Sequence, residues 1–332
     1  MKSYQIIKKM RSGIMATFFF LLFIGIWGCE DPFPEPPGAL IVSYIIDGKA
    51  ITLKGGGAFA ETYLWDFGDG SISNEKDPTH TFTDGGYYTI VLKTQNDKGS
   101  ATDTLKTGIA LDPYILLTGG ANDADGKTWR LSKDHSGSDR YVLCDADLNT
   151  KEIPMDNGQF LNKSWDKEIL GNAFGIPEVY NNEFTFYHDG RYVMDLKEDK
   201  TTLAMVRHIF ENSLAIANSN QVGQYYGLVT AVYVVPDNAS FTYTESKDLT
   251  VSTFDVASQT KKDIGYPGVS TLSFSEKAFV GLFSAKTEVV IEDISDDKMR
   301  LRFYVFSGNP DLGGAVYPDS NIAIALTFEA LP

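Results

Sequence analysis

The heptapeptide WDFGDGS, at residues 65–71, constrains the local fold more than any other stretch of the chain. Residues 62–67 alternate between two faces with a period of two, which is the pattern of a β-strand. The Gly-Asp-Gly at 68–70 then supplies the positive φ angles and the side-chain-to-backbone hydrogen bonds of a tight turn. A second strand is predicted over residues 86–92. The stretch therefore predicts a compact unit of short strands joined by tight turns.

This block resembles a PKD domain. The resemblance runs from Pro37 to Leu111, and rests on the WDFGDGS turn, the DPTHTF stretch at 77–82 and the GYYTIV strand at 86–91. It implies a small immunoglobulin-like sandwich over residues 38–111. It also implies a spacer or binding accessory without a catalytic centre, so the function is expected to reside elsewhere, in residues 118–332.

Charge excludes one class of partner. The chain has 332 residues, of which 22% are charged, and its formal net charge is -15. At about 100–200 residues per domain this length allows two domains. An acidic surface of this kind repels phosphate backbones, so no nucleic-acid partner is expected.

The N-terminal segment is predicted to be a targeting signal. Residues 1–28 combine a basic start with an apolar run at 16–27, which fits a signal-peptide core and is short for a membrane-spanning helix. The run ends at Gly28-Cys29, which resembles a lipobox and implies acylation of Cys29. Two or more acyl chains would anchor the chain stably to a membrane. The alternative is an uncleaved anchor with an incidental cysteine.

The next residues, 29–37, are expected to form a stiff tether because they are rich in proline. Glu30 and Asp31 resemble the surface-export signal of glycan-foraging Gram-negative bacteria. This implies the extracellular face of the outer membrane. In other Gram-negative bacteria an Asp at the second position signals inner-membrane retention, but Asp31 is third, counting Cys29 as first.

The C-terminal part, residues 118–332, is predicted to be one larger all-β domain, with a helix over 202–217 where Leu203, Val206, Phe210 and Leu214 share one face. A β-sandwich of the jelly-roll kind is expected, with a lipocalin-like barrel as the alternative. Hairpin turns are predicted at 188–191 and 295–298. Strands are predicted at 127–131, 140–144, 183–187, 191–196, 228–235, 240–244, 271–275, 288–294, 299–306 and 322–328.

A second resemblance concerns this domain. Segments 126–129, 182–190, 279–283 and 288–294 are similar, in this order, to those of PKD-containing surface glycan-binding lipoproteins from polysaccharide-utilisation loci of the starch-utilisation type. The resemblance implies non-catalytic capture of a polysaccharide at the cell surface, beside a TonB-dependent outer-membrane transporter to which the polysaccharide is delivered. A β-glucan is the expected polysaccharide. An adhesion lipoprotein that binds protein partners is the alternative.

Aromatic side chains are the candidate sugar-binding residues, since a pyranose ring stacks on Trp or Tyr while polar groups bind its hydroxyls. Trp165 lies among polar neighbours, and is predicted to be an exposed binding surface. Further candidates are Tyr180, Trp129, Tyr225 and Tyr226, although core packing is favoured for Trp129.

Catalysis is not expected. A glycoside hydrolase, the second alternative, needs two carboxylates that flank one bond. Glu178 and Glu183 are the nearest pair to Trp165, but they form no compact acidic motif. No G-x-S-x-G elbow is present. The four histidines lack the spacing of a zinc site.

No cofactor is expected, with calcium as the one open possibility. Asp145, Asp147, Asn149 and Asp156 copy the oxygen spacing of a calcium loop. Thr150 stands where such a loop requires glycine, which favours a solvated acidic loop instead.

Overall fold

The computed structural model describes residues 35–135, 139–143, 153–154, 160–161, 165–255, 260–275, 277–284, 288–305 and 322–332. Two β-rich units follow one another along the chain, and each has its own buried core. The all-β prediction, with two β-sandwiches, is confirmed. Within the described residues, no helix has the length and apolar character needed to cross a bilayer.

The first unit is a sandwich of a three-stranded sheet, in the order β1-β2-β5, and a four-stranded sheet, in the order β4-β3-β6-β7. Trp65, Ile90 and Leu92 are fully buried between the two sheets. The strands are β1 (Leu40–Asp47), β2 (Ala50–Gly56), β3 (Thr62–Asp66), β4 (Ile72–Ser73), β5 (Thr79–Thr81), β6 (Gly86–Asn96) and β7 (Gly99–Ile109).

The turn at 68–70 forms as the sequence predicts. Asp66 Oδ1 accepts a hydrogen bond of 2.9 Å from Gly68 N, and Asp69 Oδ1 accepts one of 2.9 Å from Ser71 N. Gly68 has a φ of 80°, and a Cβ at this position would lie 2.7 Å from the Thr89 carbonyl oxygen. Glycine is therefore required here both for its conformation and for its lack of a side chain.

The second unit packs a nine-stranded sheet against a four-stranded sheet. Its strands are β8 (Lys127–Leu131), β9 (Arg140–Leu143), β10 (Ile153–Pro154), β11 (Phe160–Leu161), β12 (Glu183–Phe186), β13 (Tyr192–Asp195), β14 (Thr201–Met205), β15 (Ile216–Asn218), β16 (Leu228–Val232), β17 (Phe241–Asp255), β18 (Thr260–Phe274), β19 (Leu282–Phe283), β20 (Val289–Ile294), β21 (Lys298–Val305) and β22 (Ile322–Ala330). Its helices are α1 (Pro113–Thr118), α2 (Ile169–Asn172), α3 (Val206–Glu211) and α4 (Gln221–Tyr226), with a 3-10 helix at Pro177–Asn181.

Consecutive hairpins build most of the larger sheet. Its order is β13-β12-β8-β22-β21-β20-β18-β17, and β9 also pairs with β22. Both predicted turns are present, since Tyr187 N donates to Arg191 O and Ser295 N donates to Lys298 O. The smaller sheet has the order β15-β16-β14-β19. Alternate residues of β21 and β22, among them Leu301, Phe303 and Leu326, fill the core between the sheets.

The helix predicted over 202–217 is wrong at both ends, since its last residues, 216–217, belong to β15. Residues 201–205 form β14, which pairs antiparallel with β16 and parallel with β19. Only Val206–Glu211 is helical. The apolar spacing that suggests a helix arises because β14 is buried on both faces and runs directly into α3. Continuous burial removes the alternation by which a strand is recognised.

Helix α1 joins the two units. The Asp112 carboxylate caps it by accepting a hydrogen bond of 2.8 Å from Ile115 N, and Pro113 opens its first turn. Tyr114 Oη donates to the His188 carbonyl oxygen at 2.8 Å, which ties the helix to the larger unit. Gly120 follows and pairs in an isolated bridge with Gly86 of β6. The connection is therefore short and held to both units.

Candidate functional site

The prediction that Trp165 is exposed is wrong. Only 7% of this residue is accessible to solvent, and its ring lies edge-on to the rings of His135 and Phe174. Its backbone N–H donates to the Asp139 carbonyl oxygen at 2.8 Å. Trp165 belongs to the hydrophobic core of the second unit and presents no open face to a sugar.

Tyr180 is also buried, with 3% of its surface accessible. Its hydroxyl contacts His135 Nε2 at 2.7 Å and accepts a hydrogen bond of 3.1 Å from Leu170 N. His135 Nδ1 in turn lies 3.0 Å from Asp139 Oδ2. The Asp139 carboxylate also accepts hydrogen bonds from the backbone and hydroxyl of Thr327, at 2.7 and 2.6 Å.

This network satisfies the buried polar groups of the core. Nδ1 of His135 faces the Asp139 carboxylate and Nε2 faces the Tyr180 hydroxyl, so both ring nitrogens have a hydrogen-bonding partner. Burial raises the pKa of Tyr180 above its ordinary value, so the hydroxyl keeps its proton and remains a donor. The sequence-predicted residues Trp165 and Tyr180 are thus brought together, but around a buried histidine and not at a surface.

The remaining aromatic candidates have different positions. Trp129 is fully buried in β8, and its Nε1 donates to the Leu117 carbonyl oxygen at 2.9 Å. It is a core residue, as favoured from the sequence. Tyr225 and Tyr226 end helix α4, and their side chains lie outside what the structure describes.

The calcium candidates Asp145, Asp147, Asn149 and Asp156 lie outside the described residues, and so does Cys29. Among the residues that are described, no group of three or more His, Cys, Asp or Glu side chains is placed to hold a metal ion. The calcium and lipidation predictions therefore remain predictions.

A cleft lies where the two units meet, and we call it the junction cleft. It has a volume of about 800 Å³. Its polar lining comes from strand β6 and β7 on one side and from residues 119–128 and the β20–β21 turn on the other. The side chains that define it are Tyr87, Lys106, Asp123, Asp125, Lys127 and Asp296.

Tyr87, Lys127 and Asp296 fix the geometry of this cleft. The Tyr87 hydroxyl donates a short hydrogen bond to the Asp296 carboxylate, and Lys127 Nζ lies 3.1 Å from the same carboxylate. Lys127 Nζ also lies 5.4 Å from the centre of the Tyr87 ring, within the range of a cation–π contact. The three side chains join the first unit to the second.

These contacts determine the ionisation states of Asp296 and Tyr87. The hydrogen bond from Tyr87, followed by that from Lys127, lowers the pKa of Asp296, so its carboxylate stays ionised. Burial, and then the bond to Asp296, raises the pKa of Tyr87 well above its ordinary range. A general acid for glycoside hydrolysis needs a raised carboxyl pKa. Asp296 has the opposite, so it is suited to accepting hydrogen bonds and not to donating a proton.

A second depression, of about 530 Å³, lies on the outer side of β8 and β12. Glu183 lines both this depression and the junction cleft. Arg130 is bound to Glu329 at 2.6 Å, and Lys197 to Glu183 at 2.7 Å. All of the side chains that line this depression can form hydrogen bonds, and Asn181, Glu198 and Asp199 complete the lining.

Sequence reasoning missed the junction cleft because it treated the first unit as a spacer. A signal was present in the strand pattern. Tyr88 and Ile90 face the core, so Tyr87 and Thr89 must face outward with the same period of two. A tyrosine on the outer face of a strand is available for recognition, but the groups that meet it come from residues far along the chain.

A family model of the PKD domain matches residues 38–110. The chain contains a PKD domain. A relative with the same domain is the pre-pro-metalloprotease PrtV of Vibrio cholerae, which is 42% identical over 62 residues. That match covers 18% of this chain and 7% of the relative, so the chain spans only a small part of that protein's length.

Two solved structures to which the chain is similar cover different shares of it. The PKD1 domain of Vibrio anguillarum Epp is 25% identical, covers 24% of this chain and 99% of its own, and superposes with a TM-score of 0.22. A structure of carbohydrate-binding modules from the β-sandwich superfamily covers 90% of this chain and 94% of its own, at 10% identity and a TM-score of 0.24. A superposition this loose carries no argument about function.

Proposed function

We propose that the protein binds a polysaccharide without cleaving it, and that the junction cleft is the binding site. The observation that carries the proposal is the chemistry of the cleft lining. Tyr87 offers an aromatic ring, Lys106 offers a donor, and Asp123, Asp125 and Asp296 offer acceptors. Sugar hydroxyls need this mixture of donors and acceptors beside an aromatic surface.

The net charge of the chain limits the kinds of polysaccharide that can bind. At a formal net charge of -15, long-range repulsion opposes acidic polysaccharides. A neutral polymer of β-glucan type suits both the overall charge and the polar lining of the cleft. The ionised state of Asp296 supports binding over hydrolysis, since it leaves this carboxyl without the proton that an acid catalyst supplies.

The proposal also includes where the protein is located and which partner receives the glycan. In this reading Cys29 carries the lipid anchor, the protein faces the exterior of the outer membrane, and captured glycan passes to a TonB-dependent transporter. The PKD domain supports this reading by its dimensions. Strands β6 and β7 each have 11 residues, so they extend about 35 Å and separate the N-terminal pole from the larger unit.

Native gels that contain single polysaccharides test the proposal. Mixed-linkage β-glucan should retard the full-length protein, and a carboxymethylated form of the same polymer should retard it less. Asp125→Asn is a suitable variant because it changes an acceptor in the cleft while keeping the side-chain volume. Failure of β-glucan and of every other neutral polysaccharide to retard the protein would overturn the proposal in favour of an adhesion protein with protein partners.

A further inference from the structure

The junction cleft does not end at the domain boundary. Toward the PKD domain, its lining continues onto the outer face of β6 and β7, where Thr89 pairs with Lys106 and Tyr87 pairs with Gly108. All four of these residues line the same depression. The Leu111 side chain packs against Gly108, where a Cβ would lie 2.6 Å from Leu111 Cδ1. The PKD domain therefore forms the surface at one end of the junction cleft.

Toward the second unit, the cleft continues along β8 and β12. Thr128 lines the junction cleft, and Arg130, two residues further along β8, lines the next depression. The two positions are about 7 Å apart and face the same side of the strand, since Trp129 between them points into the core. Glu183 pairs with Arg130 and borders both depressions.

Shared lining residues thus connect the PKD face, the junction cleft and the depression beside β12 into one path, which we call the junction groove. Each of its three parts is lined by side chains that can form hydrogen bonds, among them Lys106, Asp296 and Asn181. An occupant that makes contacts along this path has to be elongated and rich in hydroxyl groups. Within the described part of the chain, Lys106 makes no ion pair, which leaves its ammonium group to donate to such an occupant.

We propose that the junction groove binds a linear polysaccharide chain across both units, so that the PKD domain contributes directly to binding. This inference rests on the proposed function and assigns it a ligand shape. It replaces the expectation that residues 118–332 bind alone. Affinity then depends on chain length, because only a chain that reaches from Lys106 to Asn181 makes the contacts at both ends.

Calorimetric titration of the full-length protein with mixed-linkage β-glucan, and with oligosaccharides of graded length from that polymer, tests the inference. Affinity should rise with length until the groove is filled and then stay constant. Lys106→Ala should weaken binding of the polymer about tenfold, since a charged donor is lost. Asn181→Ala, at the other end, should weaken it about fivefold. Asn181→Ala should not change binding of the shortest oligosaccharide that is still bound in the junction cleft, whereas Lys106→Ala should weaken it, because Lys106 also lines that cleft.

Lys93→Ala is the matched control, because Lys93 lies on the outer face of β6 but lines none of these depressions. It should bind the polymer as the unmodified protein does. Affinity that is independent of chain length, or a polymer affinity unchanged by Lys106→Ala, would overturn the shared groove while leaving polysaccharide binding intact. Absence of binding at every length would instead overturn the proposed ligand itself.

Discussion

Tyr87 of the PKD domain and Asp296 of the second unit are hydrogen-bonded across the domain junction, although 209 residues separate them in sequence. Asp296 sits in the turn between β20 and β21, and Lys127 at the start of β8 binds the same carboxylate. One carboxylate therefore holds side chains from both units. The candidate binding site exists only while the two units keep this arrangement.

Tyr87→Phe should loosen the junction without disturbing either core. The variant removes the hydroxyl but keeps the ring beside Lys127. Because the pKa of Asp296 is lowered in the folded protein, the stabilisation from its ionised form is present above the unfolded carboxyl pKa of about 3.9 and is lost as the pH falls through the lower folded value. The melting temperatures of Tyr87→Phe and the unmodified protein should therefore differ at neutral pH and converge in acid.

Asp296→Asn provides the matched comparison, since it removes the charge while retaining the side-chain volume. Its melting temperature should also be below that of the unmodified protein at neutral pH, and this difference should shrink in acid, where Asp296 of the unmodified protein becomes protonated. A difference between Tyr87→Phe and the unmodified protein that stays constant from neutral to acid pH would show that Asp296 does not carry the effect.

Cys29→Ala tests the anchor that the sequence predicts. Acylation of a lipobox cysteine requires its sulfur, so the variant should take up no fatty-acid label in metabolic labelling. The unmodified protein should be labelled and should fractionate with the outer membrane. Exposure is measured separately, by protease treatment of intact cells, which should remove the second unit. Label retained by the variant would contradict the anchor, and full protection from protease would contradict the external location.

Local signals account for what could be predicted of the fold. The turn at 68–70 and the hairpin turn at 295–298 depend on residues within a few positions of each other, so the sequence predicts them correctly. Strand β14 was missed because its burial comes from β16 and β19, which lie far along the chain. Strand β17 extends well beyond its predicted end, because its second half is stabilised by pairing with β18.

The candidate site was harder to predict for the same reason. Trp165 has polar neighbours in sequence, yet its ring is buried by Phe174 and by His135, 30 residues earlier in the chain. Tyr87 lies in a strand whose pattern identifies a PKD domain, and that resemblance implies a spacer. Only the three-dimensional position of Asp296 shows that the outer face of this strand borders a cleft.

Tyr180→Phe should destabilise the second unit although it removes a single oxygen atom. The Tyr180 hydroxyl is the partner of both His135 Nε2 and Leu170 N. A buried polar group that loses its partner costs about 1–3 kcal/mol, so the free energy of unfolding should fall by at least that amount. Tyr44→Phe, at a tyrosine that is 46% exposed, is the control and should change it little. Equal unfolding free energies for both variants in urea titrations would refute the role of the network.

Trp165→Ala should lower stability and leave binding intact, which is the reverse of what exposure of this residue would produce. Replacing a buried tryptophan with alanine costs about 3–5 kcal/mol, because apolar contacts are lost and a cavity remains. For a unit of this size the melting temperature should fall by on the order of 10 °C. The melting temperature of Trp165→Phe should fall less, since this variant keeps an aromatic ring against His135 and Phe174.

The decisive comparison sets Trp165→Ala beside Lys106→Ala at a temperature where both variants are folded. Trp165→Ala should bind mixed-linkage β-glucan with the affinity of the unmodified protein, because its side chain lies in the core and lines neither the junction cleft nor the depression beside β12. Lys106→Ala should keep the melting temperature and lose affinity. Loss of β-glucan binding in folded Trp165→Ala, at an unchanged melting temperature, would return the binding site to the surface around residue 165 and remove it from the domain junction.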